Sequence, residues 1–157
     1  MGRVMSHTSI RPMQRADIAT LAAWLPGVPL WQRYGLTRAQ VQTMLAGALD
    51  RSDIVLVADA GEACGLAWCM PHGAFGRSAY LRLLGVHPAH AGKGIGADLL
   101  AQSEQAAGVA SREMFLLVSD FNTAAQRFYQ RHGYAQSGAI SGYVLPDVTE
   151  LIYWKRL

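Results

Sequence analysis

The stretch LLGVHPAHAGKGIGADLL, residues 83–100, decides the fold of this chain. Its apolar start predicts a strand that ends at Val86, because the proline after His87 can neither donate to a strand ladder nor follow a helical residue easily. Three glycines at alternate positions come next, and behind them Ile95 and Leu99 recur at helical spacing. A helix is therefore predicted to start inside the glycine run, so the local order is strand, glycine loop and helix.

The glycine loop is a candidate site for phosphate groups. Glycines let backbone amides approach a ligand closely, and the first amides of a helix have no partner inside that helix. Lys93 adds a positive charge at the same place. A glycine-rich turn that binds nothing is the simpler alternative.

Two common nucleotide motifs fit this loop poorly. The GxxxxGK[ST] loop is absent, because Gly94 follows the Gly92–Lys93 pair where Ser or Thr is required. Gly92-x-Gly94-x-x-Ala97 matches the dinucleotide pattern loosely, and Asp120 could serve as its ribose ligand. Dinucleotide glycines follow their strand directly, however, whereas residues 88–91 intervene here, and too little chain remains for repeated βαβ units.

Two blocks of sequence resemble one known family. Residues 84–88 (LGVHP) followed by 92–96 (GKGIG) are similar to the acetyl-CoA-binding motif of the GNAT superfamily of N-acetyltransferases. Residues 122–134, which contain Asn, Ala, Phe-Tyr and Gly-Tyr at the spacing N-x-x-A-x-x-F-Y-x-x-x-G-Y, resemble the later strand-to-helix segment of that family. The blocks stand about as far apart as they do in the family, and the layout of residues 10–157 agrees.

The resemblance implies an enzyme that moves an acetyl group from acetyl-CoA to a primary amine of a small molecule, a peptide or a protein. A non-catalytic acyl-CoA-binding sensor module is the alternative. Tyr129 is the predicted catalytic residue, a general acid for the leaving thiolate, because helical spacing places it on the inner face of its helix. The residues implied to bind acetyl-CoA are Leu84, Gly85, Val86, Gly92, Lys93, Gly94, Ile95, Gly96, Ala97 and Asn122.

The chain departs from the family pattern at two positions. Ala91 stands where most members carry Arg or Gln beside the pyrophosphate, and Arg82 stands where many place a glutamate general base. The base is therefore left open between Glu150, His72 and bulk water.

Length and composition predict one domain over residues 10–157, after a flexible N-terminal segment at 1–9. No apolar run approaches the ~20 residues needed to span a bilayer, and no signal peptide is recognisable, so we expect a cytoplasmic protein without a membrane partner. The net charge of +3 is spread without basic runs, which argues against a nucleic-acid partner. The spacing of the two cysteines and five histidines predicts neither a disulfide nor a metal site. A homodimer is left open.

The predicted element order β-α-α-β-β-β-α-β-α-β-β indicates a mixed α/β sandwich, with helices on both faces of a central sheet. The resemblance implies that this sheet is mixed and mostly antiparallel. A capping box at Thr37 and Gln40 predicts the start of one helix, and Asn122 is the predicted cap of another. Residues 71–78 are predicted to form a loop, and residues 135–144 a strand.

Overall fold

A computed structural model describes residues 7–157 of the chain. Seven strands and five α-helices form this part, with short 3₁₀ turns at Leu25–Gly27 and Pro88–His90. The strands are β1 (Ser9–Pro12), β2 (Ile54–Asp59), β3 (Ala63–Ala74), β4 (Ser78–Val86), β5 (Glu113–Ser119), β6 (Ala135–Ser141) and β7 (Thr149–Arg156). The helices are α1 (Asp17–Trp24), α2 (Pro29–Arg33), α3 (Arg38–Asp50), α4 (Ile95–Ala107) and α5 (Thr123–Arg131).

The strands form one sheet in the order β1-β2-β3-β4-β5-β7-β6. β4 and β5 are parallel, whereas β1 with β2, β5 with β7, and β6 with β7 are antiparallel. The parallel pair is joined by α4, as a parallel connection requires a crossover. The predicted mixed α/β class with a mostly antiparallel sheet is therefore confirmed.

Three sequence-based element predictions are wrong. The predicted order has two helices before β2, whereas the structure has three, because Pro29 starts the short helix α2 directly after extended Val28. The predicted loop at 71–78 is mostly strand, because Phe75 and Gly76 alone reverse the chain, and the N–H of Arg77 donates to the carbonyl of Ala74 at 3.1 Å. The strand predicted over 135–144 ends at Ser141. There Gly142, with a φ of 63°, turns the chain away from the ladder.

The predicted flexible segment at 1–9 falls largely on residues 1–6, which lie outside the described residues, while Ser9 already begins β1. The described residues form two compact units: the first holds 7–68 and 83–106, and the second holds 69–82 and 107–157. The prediction of a single domain over 10–157 stays a prediction.

In the first unit, the helices cover the sheet through apolar side chains. α1 packs against α3, and α3 against β2. A methyl group at Gly65 of β3 would lie 3.0 Å from Leu99 Cδ1 and 3.1 Å from Ala58 Cβ, so this glycine lets α4 pack directly on the strand. The large side chains of this unit that are fully buried are Leu21, Leu25, Leu45, Val57, Leu66, Leu99 and Leu100. Trp68 is nearly fully buried.

In the second unit, β5 and β7 have one buried and one half-exposed face. Met114, Leu116 and Val118 alternate along β5 and are buried, as is Tyr153 of β7. The residues between them on β5 are only half-buried. This alternation is the period-two pattern of a sheet that is covered on one side.

Arg11 ties β1 to α1 and β2 in the first unit. Its guanidinium donates two hydrogen bonds of 2.8 Å to the Asp17 carboxylate and one of 3.0 Å to Asp59. The hydrogen bonds from Arg11 hold the pKa of Asp17 below its usual value. A lowered pKa means that the folded state favours the ionised carboxylate, so this stabilisation is present above pH ~4 and is lost as the pH falls further.

We therefore expect Asp17→Asn to lower the free energy of unfolding by about 1 kcal/mol at pH 7, since the pair is partly screened by solvent. Urea titrations at pH 7 and pH 3 would measure the effect. The difference between wild type and variant should shrink at pH 3. Arg15→Gln, which removes the exposed Arg15–Asp50 pair, is the control and should change little. An equal loss at both pH values would contradict the assignment.

Within residues 7–157 no helix is both long and apolar enough to cross a bilayer. The same residues contain no cluster of three or more His, Cys, Asp or Glu side chains arranged for a metal ion. Cys64 and Cys69 are buried free thiols, and burial raises the pKa of Cys64. The cytoplasmic location stays a prediction.

Candidate functional site

The glycine loop has the predicted order of strand, turn and helix. β4 ends at Val86, a 3₁₀ turn covers Pro88–His90, and α4 begins at Ile95. Gly92 and Gly94 have φ values of 74° and 79°, a backbone region that side chains rarely adopt, and no atom lies within 4 Å of a methyl group placed on either. The loop therefore presents open backbone rather than packed glycines.

The start of α4 offers hydrogen-bond donors. The N–H of Asp98 makes the first helical bond, 3.1 Å to the carbonyl of Gly94. The amides of Ile95, Gly96 and Ala97 precede that bond and have no partner within the helix. Together with the exposed side chain of Lys93, they make an electropositive end suited to phosphate oxygens.

A cluster of rings supports the turn before the loop. The N–H of His87 donates to the carbonyl of Cys64 at 2.8 Å, and its Nδ1 accepts from the N–H of Ala89 at 3.0 Å. The His87 ring also lies 5.4 Å from the Trp24 ring and 6.0 Å from that of His90. These contacts were not predicted from the sequence, where His87 was only the residue before a proline.

The end of β4 is half-buried at Leu84, Gly85 and Val86. A methyl group at Gly85 would lie 3.3 Å from Leu25 Cδ2 and 3.7 Å from Trp31 Nε1. Gly85 therefore leaves space for the side chains that follow α1, which is a packing role that spacing alone did not predict.

In the second unit, Asn122 caps α5 as predicted. Its side-chain oxygen accepts a hydrogen bond of 3.1 Å from the N–H of Ala125. Gln126 reinforces this end, because its side-chain amide donates to the carbonyls of Ser119 and Asp120 at 3.2 and 3.0 Å. Asn122 thus has a structural role, and its predicted contact with acetyl-CoA stays a prediction.

Tyr129 lies on the inner face of α5, as its spacing predicts, and is 9% exposed. Its ring contacts those of Phe128 and Tyr134, with centroids 5.1 and 5.5 Å apart in edge-on geometry. Burial raises the pKa of Tyr129 well above the ordinary value for a phenol. The hydroxyl is therefore protonated throughout the neutral and mildly alkaline range, as a general acid must be.

The candidate bases have different surroundings. Glu150 of β7 is 4% exposed and pairs with Ser119 of β5, whereas His72 is an exposed residue of β3. Burial raises the pKa of Tyr80, the charge of Arg82 lowers it, and the charges of Tyr143 and Glu150 raise it. Arg82 itself is exposed on β4.

The match to a known family covers the stretch that contains the loop at the start of α4. A model of the acetyltransferase (GNAT) domain matches residues 50–136, which is more than half of the 157 residues. The chain belongs to the GNAT acetyltransferase family. GNAT enzymes use acetyl-CoA as their co-substrate, so the predicted co-substrate is confirmed at the level of the family.

Solved structures are similar to this GNAT protein in fold. The match to yncA from Salmonella typhimurium, solved with its cofactor acetyl-CoA, has a TM-score of 0.80 at 20% identity, over 97% of this chain and 95% of that one. A ribosomal-protein-alanine N-acetyltransferase from Brucella melitensis gives 0.80 at 22%, over 95% and 99%. An N-acetyltransferase from Staphylococcus aureus Mu50 gives 0.81 at 16%, over 96% and 99%. No curated protein is significantly similar in sequence.

The predicted site residues of this GNAT protein fall in two groups. The larger group shares the first unit and runs continuously from the end of β4 through the loop into α4. It contains Leu84, Gly85, Val86, Gly92, Lys93, Gly94, Ile95, Gly96 and Ala97. Asn122 and Tyr129 belong to the second unit, on the cap and the inner face of α5.

Proposed function

We propose that this GNAT protein is an N-acetyltransferase that moves the acetyl group of acetyl-CoA onto a primary amine. The observation that carries the proposal is the loop before α4, in which left-handed Gly92 and Gly94 lead into helix amides without helical partners, beside Lys93. Such a loop suits a pyrophosphate, because it combines backbone donors, the helix dipole and a positive side chain. The similar structures of a protein solved with acetyl-CoA and of a ribosomal-protein-alanine N-acetyltransferase support the same activity.

The reaction needs three groups from the protein. The lone pair of a neutral amine attacks the thioester carbon, a C–N bond forms, and the carbonyl oxygen becomes negative until the C–S bond breaks. Backbone groups of Leu84 and Val86 are proposed to hold the pantetheine arm, and an amide there is proposed to donate to the oxyanion. Tyr129 is proposed to protonate the leaving thiolate.

One proton must also leave the amine nitrogen. The residue at the family's usual base position is Arg82, which cannot accept a proton at neutral pH. Glu150 is our first candidate, because it is a buried carboxyl group on β7, paired with Ser119 of β5. His72 and bulk water are the alternatives.

Two measurements test the proposed function. Calorimetry with CoA tests the loop, and mass spectrometry of a panel of amines and peptides incubated with acetyl-CoA tests transfer. We expect CoA binding and an added acetyl group on at least one amine. Binding of CoA and acetyl-CoA without transfer to any amine would favour the acyl-CoA sensor instead.

Ala91 provides a gain-of-affinity test. It is exposed and directly precedes the glycine loop, where most family members carry Arg or Gln. We expect Ala91→Arg to tighten CoA binding by about 1 kcal/mol, or about fivefold, through a partly exposed charged hydrogen bond. Calorimetry measures the change. Ala89→Arg, at an exposed site in the preceding turn, is the control for added charge. Equal affinities of the two variants would show that position 91 has no special contact.

A further inference from the structure

One face of the sheet in the second unit carries a row of aromatic side chains. Phe115 of β5 pairs with Tyr80 of β4 and with Trp154 of β7, and paired residues on neighbouring strands share a face. Phe75, at the turn between β3 and β4, contacts Phe115 edge-on with centroids 5.5 Å apart. Phe115 in turn lies 6.2 Å from Trp154 in a stacked arrangement. We call Phe75, Tyr80, Phe115 and Trp154 the aromatic strip.

The strip is accessible to solvent. Phe75 is 85% exposed, and its three companions are half-buried. They lie on the opposite face of the sheet from buried Met114. An aromatic surface of this extent is typical of a site where another molecule binds.

The backbone at Phe75 supports a function for its ring. Phe75 and Gly76 have φ values of 60° and 65°, and together they form the two-residue turn between β3 and β4. A turn of this geometry favours Asn, Asp or Gly at its first position, and a bulky side chain at positive φ costs free energy. Neither the backbone preference of the turn nor burial of the ring accounts for a phenylalanine at position 75. We infer that the exposed ring binds another molecule.

The charges beside the strip indicate the kind of partner. The guanidinium of Arg156 lies 5.7 Å from the centroid of the Trp154 ring. Arg77, two residues after Phe75, is exposed. The nearby carboxylate of Glu113 accepts a hydrogen bond of 3.0 Å from Ser78. A partner with apolar and acidic side chains complements this surface, whereas a second copy would bring arginines against arginines.

The same face continues beyond the strip. Leu117 and Ile152 form the next pair along β5 and β7 and are half-buried, whereas Ser119 and Glu150 beyond them are buried, so the accessible face ends at Leu117 and Ile152. From Phe115 to Leu117 the accessible face extends about 7 Å, at about 3.3 Å per residue, and the rings of Phe75 and Trp154 lengthen it across the strands, which suits an extended peptide. A small amine would cover only part of this length.

We propose that the aromatic strip docks the chain of a polypeptide acceptor, which carries an apolar residue flanked by acidic residues. The proposal rests on the proposed function, because it names the class of acceptor. The strip contributes to holding the chain and takes no part in the chemical step.

Peptide probes test the docking. Eight-residue peptides with a free amino group and one phenylalanine, flanked by either glutamates or lysines, are titrated by calorimetry against the protein saturated with CoA. We expect the glutamate series to bind about tenfold more tightly than the lysine series, and Phe75→Asn to remove about tenfold of that affinity. Asn suits the backbone at position 75, so the melting temperature of the variant should rise by about 2 °C while docking weakens.

Val109→Asn is the matched control, because Val109 is 90% exposed in the same unit but is not in the strip. It should bind the peptides as wild type does.

The docking surface would be overturned if wild type bound no peptide, or if Phe75→Asn bound the peptides as tightly as wild type does. Tighter binding of oligothymidylate than of acidic peptides would assign the strip to nucleic acid, and a dimer that Phe75→Asn dissociates in sedimentation would assign it to a second copy; either result overturns the proposal.

An activity arm separates this proposal from the proposed function. Acetyl transfer to peptides and short amines is followed in the same variants. If Phe75→Asn transfers acetyl groups to peptides with the same KM as wild type, the docking surface alone is overturned. Phe75-dependent peptide binding without transfer to any amine overturns the proposed function and leaves a peptide-binding strip.

Discussion

Gly94→Asp should weaken CoA binding by about 100-fold or more. At a φ of 79° the new side chain costs roughly 1–2 kcal/mol in backbone strain, and a free loop that relaxes this strain must return to the strained geometry when it binds CoA. Its carboxylate would also stand at the positive end of α4, where the proposed pyrophosphate binds, and repel that charge. The two effects together reach the ~3 kcal/mol that corresponds to 100-fold. Calorimetry with CoA measures the loss.

Two controls separate the causes of that loss. Gly94→Asn keeps the size of the side chain without its charge, so it should lose much less affinity than Gly94→Asp. Gly35→Asp introduces the same residue at a φ of 70° in open space at another turn of the first unit, and should leave CoA binding unchanged. Circular dichroism verifies that each variant is folded. Unchanged CoA affinity in folded Gly94→Asp would remove the glycine loop from the proposed site.

Tyr129→Phe should lower kcat by about 10² to 10⁴ and leave CoA affinity nearly intact. The variant keeps the ring that packs against Phe128 and Tyr134 and loses only the hydroxyl. A CoA thiolate, with a pKa near the ~8.5 of an ordinary thiol, needs a positioned donor that is itself protonated at neutral pH. Steady-state kinetics with an identified acceptor, beside CoA calorimetry, give the two numbers.

The pH dependence provides a second test of Tyr129. Burial raises the pKa of Tyr129, so the protonated acid persists to higher pH than a free phenol would allow. Loss of kcat on the alkaline side through Tyr129 should therefore begin only above pH ~10. Tyr153→Phe is the control: Tyr153 is also buried, and its hydroxyl accepts a hydrogen bond from Gln130 at 3.3 Å. A kcat of Tyr129→Phe within about twofold of wild type would exclude proton donation by this residue.

Local sequence determined much of the candidate site. Pro88 ends β4, the glycine run starts α4, and Asn122 caps α5, all as predicted. The capping box of α3 is also present, since Gln40 N–H donates to the Thr37 hydroxyl at 3.2 Å and Thr37 N–H to the Gln40 side chain at 3.0 Å. These features depend on backbone φ values, on a proline that lacks an amide proton and on hydrogen bonds between residues three or four positions apart. Each feature is therefore determined by a short stretch of sequence.

Contacts between residues that are distant in the chain could be seen only in the tertiary structure. The burial of Glu150 follows from its pairing beside β5, and Leu25 comes against Gly85 from sixty residues away in the chain. The exposed ring of Phe75 lies on Phe115 because β4 pairs with β5, while its own turn would favour a different residue. Long-range pairing brings such side chains together, and no local preference encodes which ones meet. The sequence alone therefore determined the backbone of the glycine loop, whereas the tertiary structure decided which distant side chains lie together in the aromatic strip.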